Sequence, residues 1–588
     1  MMGKMTLREK LGQLIMLDFR CWGKDSSGRY IPLKKMNYSI ASLMSNYCLG
    51  GIALFRENTG SPKQIVELVE SLQGLSKIPL LLGIDQEGGL VTRLQTGTNM
   101  PGNMVLGAAG NSELTTDVAA AIGKELSSLG INLNFAPTID VNSSPFNPII
   151  GVRSFGSSPK LVAKMGKAYL EGLKSSNVLS CIKHFPGHGN TVNDTHLELA
   201  TVNYSYNELK TIDLKPFKET IEYGVDTVMI AHVIVPALDD STQISNMDGR
   251  MIGTPATLSK KIITGILRNE LKFDGLVLTD AMDMKAISDN FGVEYATIKT
   301  ILAGADMSVM PVRIREDRDI HKIEKLFTVL EDEYHKNPLF KKRVEESVER
   351  VISLKISKKM FKIDKNKKSI GERVNQAERI VGCEEHKILE RKASASGITL
   401  IKNSYELLPF KIHKGIKILI LDSNSIRISI LKNSLKAIFP HMALNIDEIL
   451  LDPEKNLDSE LESKILNSDI EILLTYNLNS KTTLPEEISS FVNFNNKKLV
   501  TISCRNPYDI AFMPSCRVNF AIYGAVGFDQ TNAVQAPLSI NLKTVAEMLF
   551  YSDNRSVLEK PVGKLPVTIV NPDNNEILYE LGHGLEYL

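Results

Sequence analysis

The sequence predicts an α/β protein, built as an N-terminal TIM-type (β/α)8 barrel followed by a smaller α/β sandwich domain. Three observations carry that expectation. Eight short apolar runs alternate with longer amphipathic stretches between residues 12 and 311. A lysine-rich stretch then breaks the pattern, and beyond it a second series of apolar runs begins. The chain has 588 residues, enough for about three to five ordinary domains or fewer if one is a barrel. Its 43% hydrophobic and 23% charged content is that of a folded chain, which excludes disorder as the main state.

Taken in order, the runs are GQLIMLDF, CLGGIALF, PLLLGIDQ, NLNFAPTIDV, VLSCIKHF, TVMIAHVIV, GLVLTDAM and DMSVMP. Each has the length of a strand buried on both faces, and most are followed by a Gly/Pro or polar break and a helical pattern. Eight such units in about 300 residues suit a (β/α)8 barrel, although a doubly wound sheet stays open on pattern alone. Six polar residues sit at the C-terminal ends of these runs: Asp85, Asp140, Lys183, His184, His232 and Asp280. In a barrel those ends share one mouth, where catalytic groups gather.

After Pro311 comes a charged helical stretch and then KKMFKIDKNKKSIG, with Lys358, Lys359, Lys362, Lys365, Lys367 and Lys368 against the single acid Asp364. It reads as a solvated linker. The expected division is therefore a barrel over 1–360, a linker over 361–374 and a second domain over 375–588. In that second part the strand candidates are GITLIKN, KILILDS, IEILLTYNL, KKLVTISC and VNFAIYG, with helical stretches between them. They predict a small parallel sheet flanked by helices. No Gly-rich phosphate loop follows any of them, so no nucleotide cofactor is expected.

Charge and cysteine usage narrow the class. With 69 Lys+Arg against 68 Asp+Glu and a net charge of +1, the chain lacks the basic excess of a nucleic-acid binder. The six cysteines never occur as CxxC, which suits a reduced compartment. The start has only the short apolar run LGQLIML between Glu9 and Asp18, too short and too charged for an export signal. Thr6 and Glu9 fit a helix capping box instead. No run of about 18 apolar residues occurs, so a membrane span is not expected, and the protein reads as cytoplasmic. The oligomeric state stays open.

The richest segment chemically is CIKHFPGHGNTVNDTH, which holds His184, His188 and His196 among the ten histidines of the chain. Pro186, Gly187 and Gly189 break helix formation there. His and Asp194 are competent metal ligands, but the segment lacks a helical HExxH pairing and no metal is expected. Asp194 and His196 also suit acid/base chemistry, since a turn brings the carboxylate to the imidazole and raises its basicity. In GLVLTDAMDM, Asp280 ends an apolar strand, a placement that suits a carboxylate nucleophile; capping of the following helix fits Asp283 better. In GIDQEGGLVTRL, Asp85 ends a strand and Arg93 lies eight residues on.

Together these segments resemble the family-three glycoside hydrolases, in their β-N-acetylglucosaminidase (β-N-acetylhexosaminidase) branch. The matching pieces are GIDQEGGLVTRL, INLNFAPTIDV, IIGVRSFG, KHFPGHGNTVNDTH, VMIAHV and DGLVLTDAMDM, in family order over about residues 5–360. The resemblance implies a retaining exo-β-N-acetylglucosaminidase with Asp280 as nucleophile and His196 as acid and then base, partnered by Asp194. It implies that Asp85, Arg93, Arg153, Lys183 and His184 bind the sugar, through acceptors and cationic donors suited to hydroxyl and N-acetyl groups. The implied substrate is an oligosaccharide or muropeptide with terminal N-acetylglucosamine, as in peptidoglycan recycling. His232 reads equally well as a core histidine and is left out of the site, and His188 reads as a loop-structuring residue.

NPYDI at 506–510, PVGKLPVTI at 561–569 and ELGHGLEYL at the end resemble the second domain of longer family members, with packing or substrate shaping as its expected role. Three alternatives remain: a phosphorylase of the same family, a β-glucosidase or β-xylosidase, and, from another class, a non-catalytic sugar-binding protein. The single tryptophan, Trp22, points to sugar recognition by hydrogen bonds rather than by indole stacking.

Overall fold

A computed structural model describes residues 2–191, 199–361, 368–525, 540–553 and 556–587. The first helix, Leu7–Gln13, begins as its sequence predicts. Thr6 Oγ1 accepts from the Glu9 N–H at 3.2 Å, and the Thr6 N–H donates to Glu9 Oε2 at 2.9 Å. The helix leads into the first of eight barrel strands: β1 (Ile15–Asp18), β2 (Gly51–Leu54), β3 (Leu81–Ile84), β4 (Leu133–Asn134), β5 (Leu179–Phe185), β6 (Thr227–Ile230), β7 (Leu276–Thr279) and β8 (Ser308–Val309).

Every pairing among them is parallel, and each of the first six strands neighbours the next in chain order. β8 pairs with β1, and a parallel bridge between Leu278 and Met307 closes the ring from β7. The closed ring explains the apolar runs. Met16, Leu81, Phe135, Leu179, Met229 and Leu278 fill the interior, while alternating neighbours such as Ile15, Leu17, Ile52, Leu82 and Val277 pack outward under the helices.

The helix Pro62–Leu75 illustrates how the outer layer is specified. Ser61 caps it by accepting from the Gln64 N–H, Pro62 occupies its first turn, and Ile65, Leu68, Val69 and Leu72 form one buried stripe. Burial of each such side chain stabilises by about 1.5–3 kcal/mol.

The expected domain change near residue 375 falls inside the helix Ile370–Ile380, where Val374 and Ala377, with Val381 just beyond, pack into the core of the barrel. The next helix, Glu384–Gly397, spans both parts: Ala393 joins the barrel core and Ala395 the core of the second sheet. Buried Glu125 fastens this tether. It accepts from the Thr98 hydroxyl at 2.6 Å and the Gly382 N–H at 3.0 Å, and lies 2.8 Å from His386 Nδ1.

The second sheet has six strands: β9 (Thr399–Asn403), β10 (Lys417–Asp422), β11 (Asn445–Leu450), β12 (Ile470–Thr475), β13 (Leu499–Ser503) and β14 (Val518–Ala521), in the order β9-β14-β13-β12-β10-β11. All pairings are parallel except β9 with β14. Helices Ser425–Ile438 and Ile540–Leu549 cover one face, and Ser459–Leu466 and Leu484–Phe494 the other, giving a three-layer sandwich. Among the described residues no helix is long and apolar enough to cross a membrane.

Candidate active site

Because all eight barrel strands run the same way, the residues at their C-terminal ends meet at one mouth. A cavity of about 520 Å³ opens there, lined by Asp85, Arg93, Arg153, Lys183, His184 and Asp280. These are all the expected site residues that fall among the described ones. Asp194 and His196 lie outside the described residues.

The floor of the cavity is a buried charge network. Lys183 Nζ donates to Asp85 Oδ1 at 2.7 Å and lies 2.6 Å from Glu87 Oε1. Arg153 grips Glu87 with both arms, Nε to Oε2 at 3.0 Å and Nη2 to Oε1 at 2.8 Å. Arg93 Nη2 approaches Asp85 Oδ2 at 3.8 Å. Burial pushes the Glu87 carboxyl up, but the Arg153 and Lys183 cations reverse that and hold it well below the ordinary carboxylate range. Burial likewise lowers Lys183, and the carboxylates of Asp85 and Glu87 return it above the usual lysine value. Glu87 was absent from the sequence-based site.

His184 is held by Asp140, the carboxylate at the end of NLNFAPTID. Its Nδ1 lies 2.7 Å from Asp140 Oδ2, and its backbone N–H also points at that carboxylate. Burial raises the Asp140 carboxyl, and contact with His184 brings it below its ordinary value. The contact with Asp140 orients the ring so that Nε2 faces Arg153 Nη2 at 3.4 Å. His188 donates its backbone N–H to Asp140 at 2.8 Å and sets Nδ1 2.8 Å from the Thr191 hydroxyl. It packs within the loop, as its sequence reading expects, and also lines the cavity. Burial and the neighbouring His184 hold its imidazole down to about 4.

Asp280 follows β7 directly. Its backbone N–H donates to Ile230 O at 3.0 Å, and the Ala281 N–H donates to its Oδ1 at 2.7 Å, which orients the carboxylate. His232 is a buried histidine beneath this strand end, 3.0 Å from Ala281 O and 2.7 Å from Thr257 Oγ1. Asp283 does not cap the next helix, Lys285–Phe291, whose cap position is Met284. Instead it pairs with Arg313 at 2.8 Å, and both residues line the cavity.

The arrangement therefore offers fixed donors (Arg93, Arg153, Lys183), a fixed acceptor in Asp85, and a second carboxylate, Asp280, on the opposite strand ends. Such a set has the donors and acceptors to hydrogen-bond a neutral polyhydroxyl ring, with the Asp280 carboxylate lining the same cavity.

Residues 6–354 match the sequence profile of the glycosyl hydrolase family 3 N-terminal domain. A beta-hexosaminidase A from Pseudoalteromonas piscicida is 39% identical over 414 residues, covering 68% of this chain and 68% of that protein. A beta-N-acetylglucosaminidase/beta-glucosidase from Cellulomonas fimi is 29% identical over 375 residues, 64% of this chain and 63% of that one. Among solved structures, a family 3 beta-N-acetylglucosaminidase from Paenibacillus sp. superimposes with a TM-score of 0.77 at 30% identity, over 96% of this chain and 99% of the other.

Proposed function

The chain belongs to glycosyl hydrolase family 3, and on that premise we propose that it is a retaining exo-β-N-acetylglucosaminidase. The observation that carries this reading is the cavity at the barrel mouth, which gathers Asp280 with Asp85, Arg93, Arg153, Lys183 and His184. The names of the similar proteins support the sugar, and peptidoglycan-derived or related oligosaccharides are its proposed source.

In the proposed reaction, a carboxylate oxygen of Asp280 bonds to the anomeric carbon as the glycosidic C–O bond breaks. Protonated His196 gives its proton to the departing oxygen, with Asp194 as its partner. Neutral His196 then takes a proton from water. The resulting oxygen nucleophile bonds to the anomeric carbon and releases Asp280 with the original configuration restored. The Lys183–Asp85 and Arg153–Glu87 pairs are proposed to hold the sugar hydroxyls and N-acetyl group, since neither cation needs to move to present its remaining N–H groups.

A panel of aryl glycosides assayed with and without phosphate tests this reading. Release of free N-acetylglucosamine, unaffected by phosphate, is expected; sugar-1-phosphate would establish a phosphorylase, and preferred turnover of glucosides or xylosides a different specificity. Sugar binding with no turnover of any substrate would make the chain a binding protein.

A further inference from the structure

The barrel mouth is held from outside the barrel. Residues 142–153 lie between β4 and the helix Pro159–Ser175, and their sole regular element is one short turn, Gly151–Arg153, which ends on Arg153. Their polar contacts run in two directions. On one side Asn147 Nδ2 donates to His188 O at 2.8 Å and Thr191 Oγ1 at 3.2 Å, the loop that leads toward residues 194–196. Asn147 Oδ1 accepts from the Ile149 and Ile150 N–H groups, and Arg153 Nη1 donates to Ile149 O at 3.3 Å.

On the other side the partners belong to the second sheet's domain. Asn142 Nδ2 donates to Tyr508 Oη at 2.8 Å, and Arg505 Nη2 to Pro148 O at 3.3 Å. Asn506 abuts Gly151 so closely that a Cβ on that glycine would lie 2.9 Å from Asn506 Oδ1. Val152, next to Arg153, packs in one apolar cluster with Ile510, Leu565 and Val567. The strap is itself anchored: Asp509 accepts from the Thr475 hydroxyl at 2.7 Å and the Leu478 N–H at 2.9 Å, at the end of β12.

We propose that residues 505–509 form a strap by which the second domain positions the barrel's site, with Asn506 and Tyr508 acting as positioning residues for Arg153 and for the 186–191 loop. A loop without a ladder of its own takes its conformation from such external partners. The inference rests on the proposed glycosidase reading only for its kinetic consequence; the mechanical coupling stands on the contacts themselves.

The test uses full-length protein with Tyr508→Phe, Asn142→Ala and the double variant, assayed on an aryl N-acetylglucosaminide. Displacing Arg153 weakens its grip on the sugar, so KM is expected to rise and kcat/KM to fall about tenfold in each variant. The double variant should be no worse than either single one, because both remove the same bond. A merely structural role would lower the active fraction with KM unchanged, and that outcome overturns the proposal, as does additivity. Hydrogen exchange supplies a readout independent of activity. Peptides covering 142–153 and 186–191 are expected to exchange faster in Tyr508→Phe while 62–75 is unaltered; a change confined to 505–510 overturns the strap. If the wild-type protein turns over no N-acetylglucosaminide, the functional reading fails, and the exchange result alone then upholds or overturns the coupling. Should Tyr508→Phe fold poorly, Asn142→Ala carries both readouts from the barrel side.

Discussion

Replacing Glu87 by glutamine removes one charge from the most enclosed part of the site and keeps its shape. Glu87 is 2% exposed and faces Lys183 Nζ at 2.6 Å and Arg153 Nη2 at 2.8 Å. Removing one partner from a buried ion pair costs about 3–5 kcal/mol, because the remaining charge stays desolvated. Lys183 keeps Asp85 at 2.7 Å, but Arg153 loses both of its bonds to a carboxylate, so the whole of that range applies. At roughly 2 °C per kcal/mol for a large domain, the melting temperature should drop by about 6–10 °C. The pH dependence supplies the sign. The folded carboxyl is held below its ordinary value, so its contribution is complete above about pH 4.3 and is lost as pH falls below that. The gap between wild type and Glu87→Gln should therefore be constant from pH 7 to about pH 5 and narrow under acid. Thermal unfolding followed by circular dichroism across that range is the assay. A melting temperature within 1 °C of wild type at pH 7 (on the order of 0.5 kcal/mol), or a gap that widens on acidification, would refute the reasoning.

Other consequences follow from the loop that closes on β4 and from its histidine. A Cβ added at Gly189 would lie 1.6 Å from Val141 O, so Gly189→Ala must shift backbone and should cost about 1–3 kcal/mol with a marked loss of turnover; wild-type melting and kcat contradict this. His188 is held down to about 4 by burial and His184. The unfolded chain therefore takes up a proton near pH 6.5 that the folded chain refuses, and this residue withdraws stability as pH falls from about 6.5 to about 4. His188→Gln should flatten that part of the melting-temperature profile, and an unaltered slope would count against the buried neutral imidazole.

The eight barrel strands were legible because each is apolar on both faces, a pattern that survives without knowledge of the partners. β11, NIDEIL, was not, since it is an edge strand whose residues are exposed or half-exposed and it carries no apolar signature. The start of the helix Ile370–Ile380, up to residue 374, reads as linker because only Val374 and Ala377 of this helix are buried, yet those two pack into the barrel core. Asp85, Lys183, His184 and Asp280 were visible as polar residues at strand ends. Glu87 and Asp140 were not assigned to the site because their roles depend on Arg153, Lys183 and His184, brought to them by ring closure and not by spacing. Asp283 was misread for a related reason: Arg313, thirty residues on, draws it away from the helix it precedes.

The central claim is that Asp280 bonds covalently to the sugar. Incubation of the intact protein with a slow fluoro-sugar analogue of N-acetylglucosamine, followed by peptide mass mapping, reads this directly. The account predicts one added glycosyl mass, on the peptide that carries Asp280 and on that residue. Label on a different carboxylate, or no label while the analogue is turned over, would contradict it.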